Sequence, residues 1–302
     1  MMSRMIRYQE KNDLFCFIVN YHAMTTIQDG DLLKENTLNA TMDFLSLGMD
    51  PEKSTFWIQS DVHYVAELTW ILSVVTGVGL MERGTSYKDK LAKGVTPNMG
   101  LFSYPILMAA DILLYGGEIV PVGKDQKQHL EMTRDIAIRF NKTFGNILVI
   151  PEPDIDKNTQ LVPGLDGQKM SKSYNNTIPI FGEEKIIKKK VMSIVTDSAG
   201  VYEAKNTNCA LFNIYSLFLD KEGKHELADK FETPGTGYGE IKKDLFSTMM
   251  DFFQPFREKR EYYEQHKNDV FDIMKQGAEK ATIVAETFLT PVRNATGLNY
   301  RA

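Results

Sequence analysis

Glu118-Ile119-Val120-Pro121-Val122, followed without interruption by Gly123-Lys124-Asp125-Gln126, is a short apolar, β-rich run that hands over through a glycine to an amphipathic helical pattern over residues 126–144. A strand that turns straight into a helix is half of a crossover unit, and the crevice at the carboxyl end of such a strand is where open parallel sheets bind nucleotides. Gly123 lets the backbone approach a ligand; the same residues also read as a plain tight turn with Asp125 as helix N-cap. Further β-rich runs at 14–20, 54–59 and 147–150 alternate with amphipathic segments at 32–47, 64–81 and 100–115, with Asp31 as a second capping residue. That alternation predicts an α/β chain whose first part is a Rossmann-like parallel sheet with crossover helices. After Phe181 the β-rich runs stop, and residues 183–199, 210–219, 242–266 and 269–288 read as successive helices. A Pro-, Gly- and Asn-rich stretch from Pro151 through Pro163-Gly164-Leu165-Asp166-Gly167 to Asn175-Asn176 joins the two parts. The expected organisation is a Rossmann-like nucleotide-binding domain over 1–175 and an all-helical domain over 176–302.

Composition narrows the function classes. The 302 residues are 43% hydrophobic and 25% charged, which suits a globular chain with a substantial core and excludes wholesale disorder. A formal charge of -5 disfavours a sequence-independent polyanion binder with a broad basic surface, while leaving room for a locally positive groove. Cys16 and Cys209 are the only cysteines, so no thiolate metal cluster is expected, at most one disulfide can form, and a reducing cytoplasm fits best. No stretch has the length and purity of a membrane span, and the opening residues lack the apolar core of a signal peptide. The sequence shows neither internal repeats nor low-complexity tracts.

Lys169-Met170-Ser171-Lys172-Ser173 lies on the joining loop. Lysine ammonium groups on flexible stems suit phosphate oxygens whose charge changes during nucleotidyl transfer, and the serines can add hydrogen bonds. On composition alone such a stretch is usually a solvated loop. Asp111, inside the apolar helical stretch 106–115, is costly to bury unless it is hydrogen-bonded internally or meets a ligand. Val120 and Val122 alternate as strand core residues would, and His22 and His129 read by themselves as hydrogen-bonded structural histidines.

Lys169 to Ser173 is similar to the K-M-S-K-S signature of class I aminoacyl-tRNA synthetases. Residues 107–115 and 120–129, Gly237-Tyr238-Gly239, and Gly277-Ala278-Glu279-Lys280-Ala281 resemble tryptophanyl-tRNA synthetases in particular, so the likeness covers almost the whole chain. The resemblance implies that Asp111 accepts the indole N–H, a group that tyrosine does not offer. It also implies that Met108, Val19, Val120 and Val122 wall the pocket, and that His22, Tyr104 and Gln126 surround the ring and the amino group. It assigns Gly123, Lys124, Asp125, Leu161 and the residues Lys169, Met170, Ser171, Lys172 and Ser173 to ATP, with Lys90 as a further phosphate contact. Lys169, Lys172 and Lys90 would be the catalytic cations. Implied partners are L-tryptophan, ATP with Mg2+, tRNA(Trp) read by the helical part, and a second copy of the chain in a homodimer. The apolar helix 68–81, with Trp70, Val74, Val75 and Val78, is the expected dimer face, with an ordinary core helix as the alternative.

The family opens with a strand and a His-containing glycine turn, whereas Ser3 to Lys11 resemble the helix that follows that turn. From this the 302-residue chain is expected to form adenylate poorly and a product extended upstream to be active. A tyrosine-specific ligase and a noncatalytic tryptophan- or RNA-binding relative remain as alternatives.

Overall fold

In the computed structural model, the described residues are 2–84, 87, 88, 94, 96–123, 126–155 and 162–301. Lys90, Lys124, Asp125 and Leu161, and the side chain of Ser173, lie outside that description. Helix α1 (Met2–Gln9) leads into β1 (Leu14–Ile18), the short α2 (Asn20–Ala23) and α3 (Gly30–Ser46), and the chain returns as β2 (Ser54–Ile58) parallel to β1. Then come α4 (Tyr64–Val75), α5 (Val78–Glu82), α6 (Met99–Leu113), β3 (Ile119–Val122), α7 (Lys127–Phe144) and β4 (Glu152–Ile155). β3 and β4 form a second parallel pair, so the sheet is present as two two-stranded pieces among the described residues. Parallel partners need a crossover connection, which α3 and α7 supply.

Local chemistry sets the element boundaries and moves several of them from their expected places. The N-cap of α3 is Asp29, whose carboxylate accepts the Leu32 N–H at 3.0 Å; Asp31 sits in the first helical turn, where its charge complements the helix dipole. The single helix expected over 64–81 breaks at Thr76 and Gly77, both extended, into α4 and α5. The fourth strand lies at Glu152–Ile155 instead of 147–150. Asn141 occupies the backbone of the earlier run: its side chain accepts the N–H groups of Ile147 and Leu148 and donates to the Leu148 carbonyl at 2.8 Å. With those groups taken, no sheet ladder can form there.

The chain divides into two compact units, Met1–Lys157 with Tyr263–Ala302, and Asn158–Tyr262. The second contains α8 (Glu184–Met192), α9 (Ala210–Tyr215), α10 (Lys221–Glu232) and most of α11 (Tyr238–Gln265), around a core that includes Ile187, Val191, Leu211, Phe231 and Leu245. The sequence boundary at 175 is therefore displaced, and the last helix, α12 (Lys267–Thr296), returns to the first unit. Gly277, Ala278, Ala281 and Ala285 explain the return: these small residues let α12 lie directly on β2, and a Cβ at Gly277 would overlap the Phe56 carbonyl oxygen. Leu289 and Val292 of α12 complete a core with Trp57, Leu72, Ala109 and Phe140. Among the described residues, no helix is long and apolar enough to cross a membrane.

Candidate active site

The carboxyl ends of the parallel strands bring the polar residues of the first unit together. Val19 and His22 follow β1, Gln59 follows β2, and Gly123 and Gln126 follow β3. From α6, Tyr104, Met108 and Asp111 recur at helical spacing and so share one face. Asp111 is only 6% exposed, yet it is not without partners. Gln59 Nε2 donates to Oδ1 at 2.7 Å and to Oδ2 at 2.9 Å, and His22 Nε2 lies 2.8 Å from Oδ2. The Gln59 carbonyl oxygen accepts the Tyr21 N–H at 3.1 Å, which fixes the amide so that its NH2 faces the carboxylate. Burial pushes the Asp111 carboxyl above the usual carboxylate range, and the bonds from His22 and Gln59 work against that rise. Two carboxylate oxygens offer about four acceptor positions, so these bonds leave capacity for one more donor.

A second set of bonds runs beside the first. The Tyr104 hydroxyl is 2.6 Å from His129 Nε2, and His129 Nδ1 is 3.0 Å from Gln126 Oε1. A neutral imidazole that donates from Nδ1 to Gln126 and accepts the tyrosine O–H at Nε2 fits both distances. The rings of His22 and Tyr104 meet edge-on at 6.2 Å, which brings the two sets next to each other. Val122 is buried, Val120 and Met108 are half-buried, and Val19 is 48% exposed at the end of β1. These apolar residues join the site by position at strand ends and on α6. The Gly123 carbonyl accepts the Gln126 N–H at 3.0 Å, closing the turn at the head of α7.

Gln59 carries no motif and escapes notice in the sequence. The signal available was its place directly after an apolar strand, the same rule that singles out Gly123. His129, which looks structural in isolation, couples Tyr104 to Gln126.

The lysine-bearing loop belongs to the second unit. Lys169 forms an isolated antiparallel bridge with Pro163, and the Met170 N–H donates to the Val162 carbonyl at 2.9 Å. Lys172 opens a short 3-10 turn, Lys172–Tyr174, and both lysines are exposed. Ser171 is half-buried.

Polar groups gathered at the carboxyl ends of parallel strands are the arrangement by which α/β enzymes bind nucleotides. Residues 1–254 match the model of the class I tRNA synthetases (W and Y), and the chain belongs to that family. A tryptophan–tRNA ligase of Fusobacterium nucleatum is 48% identical over 298 residues, covering 98% of this chain and 92% of that protein. The crystal structure of tryptophanyl-tRNA synthetase from Campylobacter jejuni, complexed with ADP and tryptophan, is 49% identical with a TM-score of 0.95, covering 98% of this chain and 93% of that one. The Mycoplasma pneumoniae enzyme is 29% identical with a TM-score of 0.78, covering 98% and 91%. Within the family, the chain stands with the tryptophan–tRNA ligases.

Proposed function

We propose that the chain activates L-tryptophan with ATP and transfers it to tRNA(Trp). The tryptophan carboxylate attacks the α-phosphorus, the bond to the bridging oxygen breaks, and pyrophosphate leaves; a terminal ribose hydroxyl then attacks the aminoacyl carbonyl and loses its proton, the anhydride bond breaks, and AMP leaves. No covalent enzyme intermediate is formed. The observation that carries this reading is the buried Asp111 carboxylate, held in place by His22 and Gln59 with acceptor capacity to spare. Indole N–H is a donor only, and an aimed carboxylate in apolar surroundings selects for it. Met108, Val19, Val120 and Val122 would wall the ring, with Tyr104 and Gln126 placed for the polar end of the amino acid.

For ATP, the supporting observations are the turn at Gly123, the exposed lysines 169 and 172, and the ADP bound in the Campylobacter jejuni structure. Lys169 and Lys172 oppose charge that accumulates on the departing pyrophosphate, with Met170, Ser171 and Ser173 completing the loop. Lys90, Lys124, Asp125 and Leu161 keep the ATP roles that family likeness gives them. Magnesium would enter with the ATP phosphates as part of that substrate. The helices of the second unit would read the anticodon, by selected bases more than by bulk phosphate attraction, given the overall charge of -5. We place the protein in the cytoplasm, where its substrates are.

The test is amino-acid-dependent ATP–pyrophosphate exchange. Exchange should respond to tryptophan at concentrations at least about 10²-fold below those at which tyrosine acts; an equal response to both would sink the assignment.

A homodimer would use the face of α4 and α5 on which Trp70, Val74 and Val78 are 72%, 65% and 62% exposed. Val75, expected on the same face, packs instead against the core. Trp70→Glu should convert the sedimenting species from dimer to monomer, and an unchanged sedimentation coefficient would remove this face from consideration.

A further inference from the structure

We infer that Asn176 is a positioning residue for the lysine loop, holding the backbone from which Lys169 and Lys172 reach the ATP phosphates; this rests on the function proposed above. Asn176 is 3% exposed, and a buried amide must find partners for both its oxygen and its NH2 group. Among the described residues, its side-chain partners all lie in the loop. Oδ1 accepts the Ser171 N–H at 2.8 Å, while Nδ2 donates to Asp166 Oδ1 at 2.8 Å and to the Lys169 carbonyl at 3.1 Å. Its backbone carbonyl accepts the Leu165 N–H at 2.9 Å. One side chain thus ties the entering arm of the loop, at Asp166, to the leaving arm, at Lys169 and Ser171.

The surroundings are shaped for that amide. A Cβ on Gly164 would overlap the Asn176 side chain, so glycine there keeps the seat open. Asp166 also accepts the Gln168 N–H at 3.0 Å, and the bond from Asn176 holds its carboxyl below the usual carboxylate range. Each lysine lies at or next to a braced point: the Lys169 carbonyl is itself held, and Lys172 follows the held N–H of Ser171. Lysine stems are flexible, so fixing their backbone origin limits where the ammonium groups can travel. An aspartate at 176 would keep the acceptor for Ser171 but present a carboxylate to Asp166 and to a carbonyl. The site therefore requires an amide.

The experiment compares the full chain with Asn176→Ala, with Asn176→Asp, and with the exchanged pair Asp166→Asn plus Asn176→Asp, which restores a donor facing an acceptor between the two positions. Calorimetry reads ATP and tryptophan affinities separately, and trypsin reads cleavage after Lys169 and Lys172. Asn176→Ala should weaken ATP by about tenfold, speed cleavage at both lysines, and leave tryptophan affinity within about twofold. Asn176→Asp should lose at least as much, and the exchanged pair should recover part of the ATP affinity, since it restores the contact between positions 166 and 176 but leaves the Lys169 carbonyl without its donor. Unchanged ATP affinity in Asn176→Ala, equal losses for ATP and tryptophan, or no recovery in the exchanged pair would overturn the inference. A Lys172→Ala control separates the two levels. If ATP binding and adenylate formation are both indifferent to Lys172, the loop's proposed function fails and this inference falls with it. If they depend on Lys172 while Asn176→Ala is silent, only the positioning role is lost.

Discussion

Replacing Lys172 by alanine should slow formation of tryptophanyl-adenylate by about 10²–10³-fold and change the tryptophan dissociation constant by less than about twofold. Negative charge accumulates on the bridging and terminal oxygens of pyrophosphate as the bond to the α-phosphorus breaks. A cation placed against that charge is worth more in the transition state than in the ground state, so its loss appears in the rate. On the proposed function, tryptophan would be recognised by Asp111 and its partners in the first unit, whereas Lys172 is an exposed residue of the second, so ground-state tryptophan binding should not register the change. Lys172→Arg keeps the charge but spreads it over a planar fork, and should recover only part of the rate. Single-turnover adenylate formation beside tryptophan calorimetry checks the split. Parallel losses in the two would contradict the assigned role.

Asp111→Ala should weaken tryptophan binding by about 10²-fold, because it removes a charged acceptor and leaves the Gln59 amide and His22 without their partner. The acid limb of tryptophan binding should disappear with it. In the unsubstituted protein, burial raises the Asp111 carboxyl, so affinity should fall on acidification from a higher pH than an ordinary carboxylate near 3.9 would give. The same shift predicts the stability effect of Asp111→Asn. A carboxyl whose folded value lies above its unfolded value contributes stability that is complete below the unfolded value and is lost as pH rises through the folded one. The ligand-free protein at neutral pH therefore carries a destabilising carboxylate. As pH rises from acid to neutral, the stability of the unsubstituted protein should therefore fall relative to that of Asp111→Asn, read as the difference in Tm; a difference independent of pH would show that the titration of Asp111 is not its origin.

The strands β1, β2 and β3 are legible in the sequence because their apolar, β-rich runs end abruptly in helix signals. The fourth is misplaced because Ile147 and Leu148 look like a strand by composition while the side chain of Asn141, on the preceding helix, has already taken their backbone groups. α10 goes unseen since Leu227 and Phe231 are the only buried residues on an otherwise charged segment. The return of α12 to the first unit is written in Gly277 and its alanines, but a stripe of small residues does not say which surface it meets. In the site, Asp111 stands out as a lone charge in an apolar helix. Gln59 and Asn176 do not, because an amide's role depends on partners distant in sequence: Gln59 on Asp111, and Asn176 on a loop whose closure cannot be read from spacing.

Tryptophan and tyrosine titrated calorimetrically into the unsubstituted protein and into Asp111→Ala measure whether that one carboxylate reads the indole. The preference for tryptophan should be at least about 10²-fold before the substitution and fall to within about tenfold after it. No preference at the outset, or a preference that survives the loss of Asp111, would contradict the assignment of this carboxylate as the indole acceptor.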